Sequence, residues 1–159
     1  MPFASGSTRR FRIRLYRMHD ESFRTEWPMN EATVSPLWVA VVDDEPSVRK
    51  ALSRVLRSAG FAVRAFGSGA GFLESLRDLE PCCLVLDLHM PPPSGFEVLE
   101  FLQSTGKSIA TVVISAEYNN HNRTRVLAYG ARAYLAKPVE DAQLLEVVSA
   151  AAQDQSRRR

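Results

Sequence analysis

From Leu37 onward the chain alternates short apolar runs with longer segments whose apolar positions recur at helical spacing. Residues 37–42 form an uninterrupted apolar run, the pattern of a strand covered on both faces. A helix is predicted to start at Pro46 or Ser47, with the proline in its first turn. Its stripe is Val48, Ala51, Leu52, Val55, Leu56 and Ala59, and Gly60 is its natural stop. Residues 62–66 read as a second strand, 71–76 as a helical segment, and 82–86 as a third strand. Phe96, Leu99 and Leu102 mark a third helix ending near Gly106. Residues 110–114 read as a fourth strand. A polar helix over 122–129 follows, predicted to start late because Asn119, Asn120, His121 and Asn122 are unusually polar. Residues 133–135 read as a fifth strand, and Leu144, Leu145, Val148 and Ala151 mark a last helix. Five such units predict an α/β fold: a parallel sheet with right-handed crossovers and helices on both faces.

The remainder of the chain divides into three parts: a basic arm over 1–36, a folded domain over 37–153 and a basic tail over 154–159. Residues 1–36 hold six arginines against four acids, and from Leu37 onward fourteen basic and fourteen acidic residues cancel. The whole net charge of +2 therefore lies in the arm, and the folded part has no bulk attraction for nucleic acid. The arm has little apolar periodicity, and Pro28 and Pro36 interrupt it, the composition of a disordered segment. Its arginines and lack of acids before Asp20 also suit a transit peptide, and Met29 offers an alternative start. No apolar stretch approaches the roughly 20 residues of a membrane span. The two cysteines, Cys82 and Cys83, are adjacent on a strand and point to opposite faces, which makes them poor disulfide partners. The expected compartment is a reducing cytoplasm.

Charged residues punctuate the ends of the strands. Asp43 and Asp44 follow the first run, Asp87 the third and Lys137 the fifth. Each lies just past the carboxyl end of a buried strand, where an open α/β sheet forms its ligand crevice. Three converging carboxylates repel one another unless a hard divalent cation lies between them. Magnesium suits a small acidic site that shares the ion with a phosphoryl group. Lysine is the complementary point charge for that group. The pattern is that of a phosphoryl-transfer site. Taken alone, Asp43 and Asp44 would equally suit the positive end of a helix dipole.

Four motifs in order carry a family resemblance: Val41-Val42-Asp43-Asp44-Glu45, Leu86-Asp87-Leu88-His89-Met90-Pro91, Val113-Ile114-Ser115-Ala116 and Tyr134-Leu135-Ala136-Lys137-Pro138. Asp44 precedes Asp87 by 43 residues, Asp87 precedes Ser115 by 28, and Ser115 precedes Lys137 by 22. The chain resembles the receiver domain of bacterial two-component response regulators over about residues 37–152, leaning toward the nitrogen-fixation FixJ branch. The resemblance implies a five-stranded parallel sheet in the CheY-like order 2-1-3-4-5. It implies Asp87 as phosphoryl acceptor, Asp44 as a direct magnesium ligand, Asp43 as a ligand mostly through water, and the His89 backbone carbonyl as a further ligand. Lys137 is the implied phosphoryl contact, Ser115 and Tyr134 the implied switch, and Lys137-Pro138 the implied cis bond. Glu117 is placed to tune water access. The implied donor is a sensor histidine kinase or phosphotransfer protein, and the implied output is a changed surface on the fourth helix, fifth strand and fifth helix, with phosphorylation-dependent dimerisation open. A signalling acceptor, rather than a turnover enzyme, is expected.

Two features depart from the family pattern. Pro91, Pro92 and Pro93 stiffen the loop after Asp87, and after the last helix the sequence ends in Ser156-Arg157-Arg158-Arg159, with no DNA-binding output segment. The output is then expected to be another protein, or the chain is a fragment of a longer regulator. Direct nucleic-acid binding through a handful of arginines would be weak and salt-sensitive. A haloacid-dehalogenase-type phosphohydrolase would carry a second acid two residues after its nucleophile. His89 occupies that position and argues against it.

Overall fold

A computed structural model describes residues 37–158. The expectations for the arm over 1–36 lie outside the described residues. Ten elements alternate: β1 (Trp38–Val42), α1 (Pro46–Ser58), β2 (Ala62–Phe66), α2 (Gly69–Ser75), β3 (Cys83–Asp87), α3 (Gly95–Ser104), β4 (Ala110–Ser115), α4 (Asn120–Ala128), β5 (Ala133–Ala136) and α5 (Asp141–Arg158). All strand pairs are parallel and the order is β2-β1-β3-β4-β5, as the resemblance implied.

Strand side chains alternate between faces, so a strand covered on both sides must be apolar throughout. In β1, Trp38, Ala40 and Val42 join one core with Leu84, Leu86 and Val113, beneath Phe72 of α2, Val98, Leu99 and Leu102 of α3 and Val126 of α4. Val39 and Val41 join the opposite core with Cys83, Val85, Val112 and Ile114, beneath Leu52 and Leu56 of α1 and Leu144, Val148 and Ala151 of α5. β1, β3 and β4 are buried at every position. No disulfide joins Cys82 and Cys83, both of which are buried.

Local chemistry sets the helix ends. Ser94 and Glu97 form a reciprocal capping box at α3, and Ser68 accepts from the Gly71 amide at α2. Asn119 does the same for α4, its side chain accepting from the Asn122 amide at 2.8 Å. That cap corrects the expected late start: the polar run is the cap and first turn of α4. Residues 154–158, set apart in the sequence by charge, form the final part of α5. Lys137-Pro138 is cis, as implied, and Pro92-Pro93 is cis as well. The proline-rich loop is packed on one side, since a Cβ at Gly69 would lie 2.8 Å from the Pro93 carbonyl oxygen. Among the described residues no helix is long and apolar enough to cross a membrane.

Candidate functional site

Parallel strands end at a common rim, and their register determines which residues meet there. Val42 pairs with Leu86, Asp87 with Ile114, and Ser115 with Ala136. Asp43 therefore follows β1 beside the last residue of β3. Ser115 closes β4 one position beyond the partner of Asp87. The Lys137 amide donates to the Ser115 carbonyl at 2.8 Å and extends the ladder one step. Asp43, Asp87 and Ser115 are buried, while Asp44 stands exposed at the mouth.

The charges do converge. The Lys137 ammonium lies 2.8 Å from Asp43 Oδ2 and 3.3 Å from Asp87 Oδ1. Asp43 Oδ1 accepts the Glu45 amide at 2.9 Å, and Asp87 Oδ1 accepts the His89 amide at 3.3 Å. Asp43 Oδ2 makes no hydrogen bond of normal geometry, so the nearby ammonium meets it chiefly as a charge. Oxygens of Asp43, Asp44 and Asp87 all lie within 4.8 Å of one another. Three carboxylates against one ammonium leave an excess of two negative charges in a largely buried pocket. An oxygen-only donor set of this size, with one exposed carboxylate at the mouth, fits a magnesium ion that keeps several waters.

Burial, reinforced by the Asp43 charge, outweighs Lys137 and the His89 amide and pushes the Asp87 carboxyl from 3.8 up to about 6. The folded chain thus holds the Asp87 proton more tightly than the unfolded chain. Its ionised form is a penalty, fully present above about pH 6 and relieved as pH falls toward 4. Relative to Asp87→Asn, the metal-free wild-type protein is expected to gain stability over that interval, by on the order of 1–3 kcal/mol. Denaturant unfolding in chelator across the pH range checks this; parallel curves for the two proteins would refute it.

Burial by itself lowers Lys137, but its attraction to the Asp43 and Asp87 carboxylates more than offsets this and holds the ammonium above its ordinary value. Lys137→Ala leaves both buried carboxylates unscreened. It is expected to destabilise the metal-free fold by about 2–4 kcal/mol, with magnesium restoring part of the loss in a thermal melt.

The switch residues share one atom. Ser115 Oγ donates to the Glu117 carbonyl at 2.9 Å and accepts the Glu117 amide at 3.1 Å. The Tyr134 hydroxyl donates to the same carbonyl. Tyr134 is buried, its ring stacked on Tyr118 with centroids 4.9 Å apart. The Glu117 carboxylate reaches outward, 3.6 Å from the His89 imidazole. Three contributors went unread in the sequence: Tyr118, the Glu117 carbonyl, and Arg49, whose Nη1 donates to the Asp43 carbonyl at 2.7 Å. For Arg49 a signal existed, since its place in the first turns of the helix after Asp43 brings its side chain back over the strand end.

The response regulator receiver domain family matches residues 39–149. The chain belongs to that family. Among relatives of this receiver domain, the transcriptional regulatory protein FixJ of Azorhizobium caulinodans is 35% identical over 112 residues, covering 70% of this chain and 53% of that protein. FixJ of Rhizobium meliloti is 35% identical over 115 residues, covering 72% and 56%. The chain thus spans about half the length of the curated relatives it matches. Among solved structures, FixJ-N is similar with a TM-score of 0.69 and 34% identity, covering 74% of this chain and 94% of that one. Response regulator StyR gives 0.73 and 39%, covering 79% and 63%. These likenesses agree with the receiver family and the FixJ branch read from the motifs.

Proposed function

We propose that Asp87 accepts a phosphoryl group from a phosphohistidine on a sensor histidine kinase or phosphotransfer protein. One observation carries this: the Lys137 ammonium stands within 3.3 Å of both Asp43 and Asp87 on the carboxyl rim. A carboxylate oxygen of Asp87 attacks phosphorus as the nitrogen–phosphorus bond breaks, giving an acyl phosphate on Asp87 and a neutral imidazole on the donor after protonation. Asp44 directly, Asp43 mostly through water, Asp87 and the His89 carbonyl would hold magnesium. Bound there, the ion offsets carboxylate charge and charge developing on the phosphoryl oxygens.

The chain's own residues do the positioning that a loose transition state chiefly requires. Lys137 moves from its carboxylate partners onto a phosphoryl oxygen, and the His89 amide fixes the Asp87 rotamer through Oδ1. Ser115 then leaves the Glu117 carbonyl for a second phosphoryl oxygen, drawing the β4–α4 loop inward. Tyr134, bonded to that same carbonyl, responds, and the surface of α4, β5 and α5 changes. Glu117 and His89 flank the mouth and set the access of hydrolytic water. The result is a phosphorelay signalling element of the cytoplasm, acting on a downstream protein, rather than a turnover enzyme.

The test is incubation of the full chain with acetyl phosphate, with magnesium or with chelator, followed by intact-mass measurement. One added phosphoryl group, dependent on magnesium, is expected. No mass gain under either condition would end the proposal.

A further inference from the structure

A second concentration of charge lies in the groove between α1 and the edge strand β2. A recess of about 150 Å³ there is lined by Pro46, Arg49, Lys50, Ser53 and Arg57 of α1 and by Ala65 of β2. The α1 positions recur at three- and four-residue intervals, so they form one stripe along a single helix face. α1 carries Arg49, Lys50, Arg54 and Arg57 and no acidic residue. Among the described residues, the ion pairs within 4.0 Å include none to Arg49, Lys50 or Arg57. Arg49 and Arg57 each donate to a neutral backbone carbonyl, of Asp43 at 2.7 Å and of Val63 at 3.2 Å. Those bonds orient the guanidinium groups without neutralising them.

Ser53 supplies a second, independent observation. It is 3% exposed, yet its Oγ has no hydrogen-bond partner among the described residues. A serine within a helix ordinarily returns its hydroxyl to a carbonyl one turn back. A buried hydroxyl left without a partner is unfavourable, and an acceptor oxygen placed in the recess would relieve it.

We propose that this recess is an oxyanion site that takes a phosphate group, either as the free ion or as the head of a phosphate monoester. The arginines supply planar forks that match phosphate oxygens, Lys50 a point charge, and Ser53 a neutral donor. Size narrows the class. Pockets for drug-sized ligands occupy roughly 300–1,000 Å³, so the recess admits a phosphate and a short stem but not a whole nucleotide. Arg49 also touches the acid rim, through the Asp43 carbonyl, but the recess carries the opposite charge.

The experiment titrates the full chain in magnesium-free buffer while backbone amide shifts of residues 49–57 and 62–66 are followed by NMR. One arm uses inorganic phosphate and the other glycerol 3-phosphate, each at ionic strength matched with sodium chloride. Saturable shifts at those amides are expected, weakened about tenfold in Ser53→Ala and in Arg57→Gln. Tighter or equal binding of inorganic phosphate assigns the site to the free ion, and tighter binding of the ester assigns it to a phosphorylated small molecule. Shifts that follow ionic strength alone, or saturable shifts unchanged in both variants, overturn the proposal. Ser53→Ala removes only an unsatisfied hydroxyl, so its melting temperature without phosphate should equal or exceed that of the wild type, which keeps the comparison interpretable.

Discussion

Asp87→Asn is expected to abolish the mass gain from acetyl phosphate and magnesium, while the protein stays folded. The amide is close in size to the carboxylate and can still accept the His89 amide through its oxygen, so the β3 end keeps its geometry. It lacks the anionic oxygen that must attack phosphorus. Loss of label cannot be put down to unfolding, because the substitution removes a desolvated charge beside Asp43 and should stabilise the metal-free fold above about pH 6. Circular dichroism and a thermal melt on the same sample establish the fold, and intact mass reports the label. Label retained on the variant would mean that another residue accepts the phosphoryl group.

Gly95→Ala is expected to be the most damaging single methyl group near the site. A Cβ there would fall 2.5 Å from the Asp87 carbonyl oxygen and 2.7 Å from the Leu88 Cα. Both contacts are to backbone, so no side-chain rotation relieves them. The first turn of α3 must lift off the end of β3, and the Gly95 amide bond to the Leu88 carbonyl goes with it. A loss of about 3 kcal/mol is expected, read as a lower midpoint in denaturant unfolding, with labelling slowed because the displaced backbone carries the acceptor. Gly106→Ala is the internal comparison. Its φ of +68 strains an alanine, but nothing lies within 4 Å of the new Cβ. It should cost only about 1–2 kcal/mol. Equal losses at the two positions would show that the close approach at Gly95 is not what matters.

The fold was legible where burial left no choice of residue. β1, β3 and β4 are enclosed on both faces, so their runs are apolar but for Thr111 within β4, and Asp43, Asp87 and Ser115 at the ends of the runs mark the rim. Boundaries were less legible. The third strand runs one residue past its apolar run because Asp87 pairs with Ile114 while carrying a carboxylate. The start of α4 was obscured because Asn119 reads as a loop residue, although its side chain caps the helix. Within the site, the carboxylates and Lys137 were visible through their position at strand ends. The Glu117 carbonyl was invisible, because a backbone oxygen has no signature in composition or spacing. Tyr118 was equally hidden: only the fold brings its ring against Tyr134.

The Glu117 peptide also constrains how a signal can leave the rim. A carbonyl oxygen has two lone pairs, and Ser115 and Tyr134 occupy them together, while the amide of the same residue leans on Ser115. Ser115 therefore cannot turn away as an isolated rotamer: its departure strands an amide and frees half of an acceptor at once. The peptide must travel with the hydroxyl or find new partners, and in either case the tyrosine loses its former anchorage. Chemistry at one side chain is thereby converted into movement of main chain, with a single oxygen as the fulcrum.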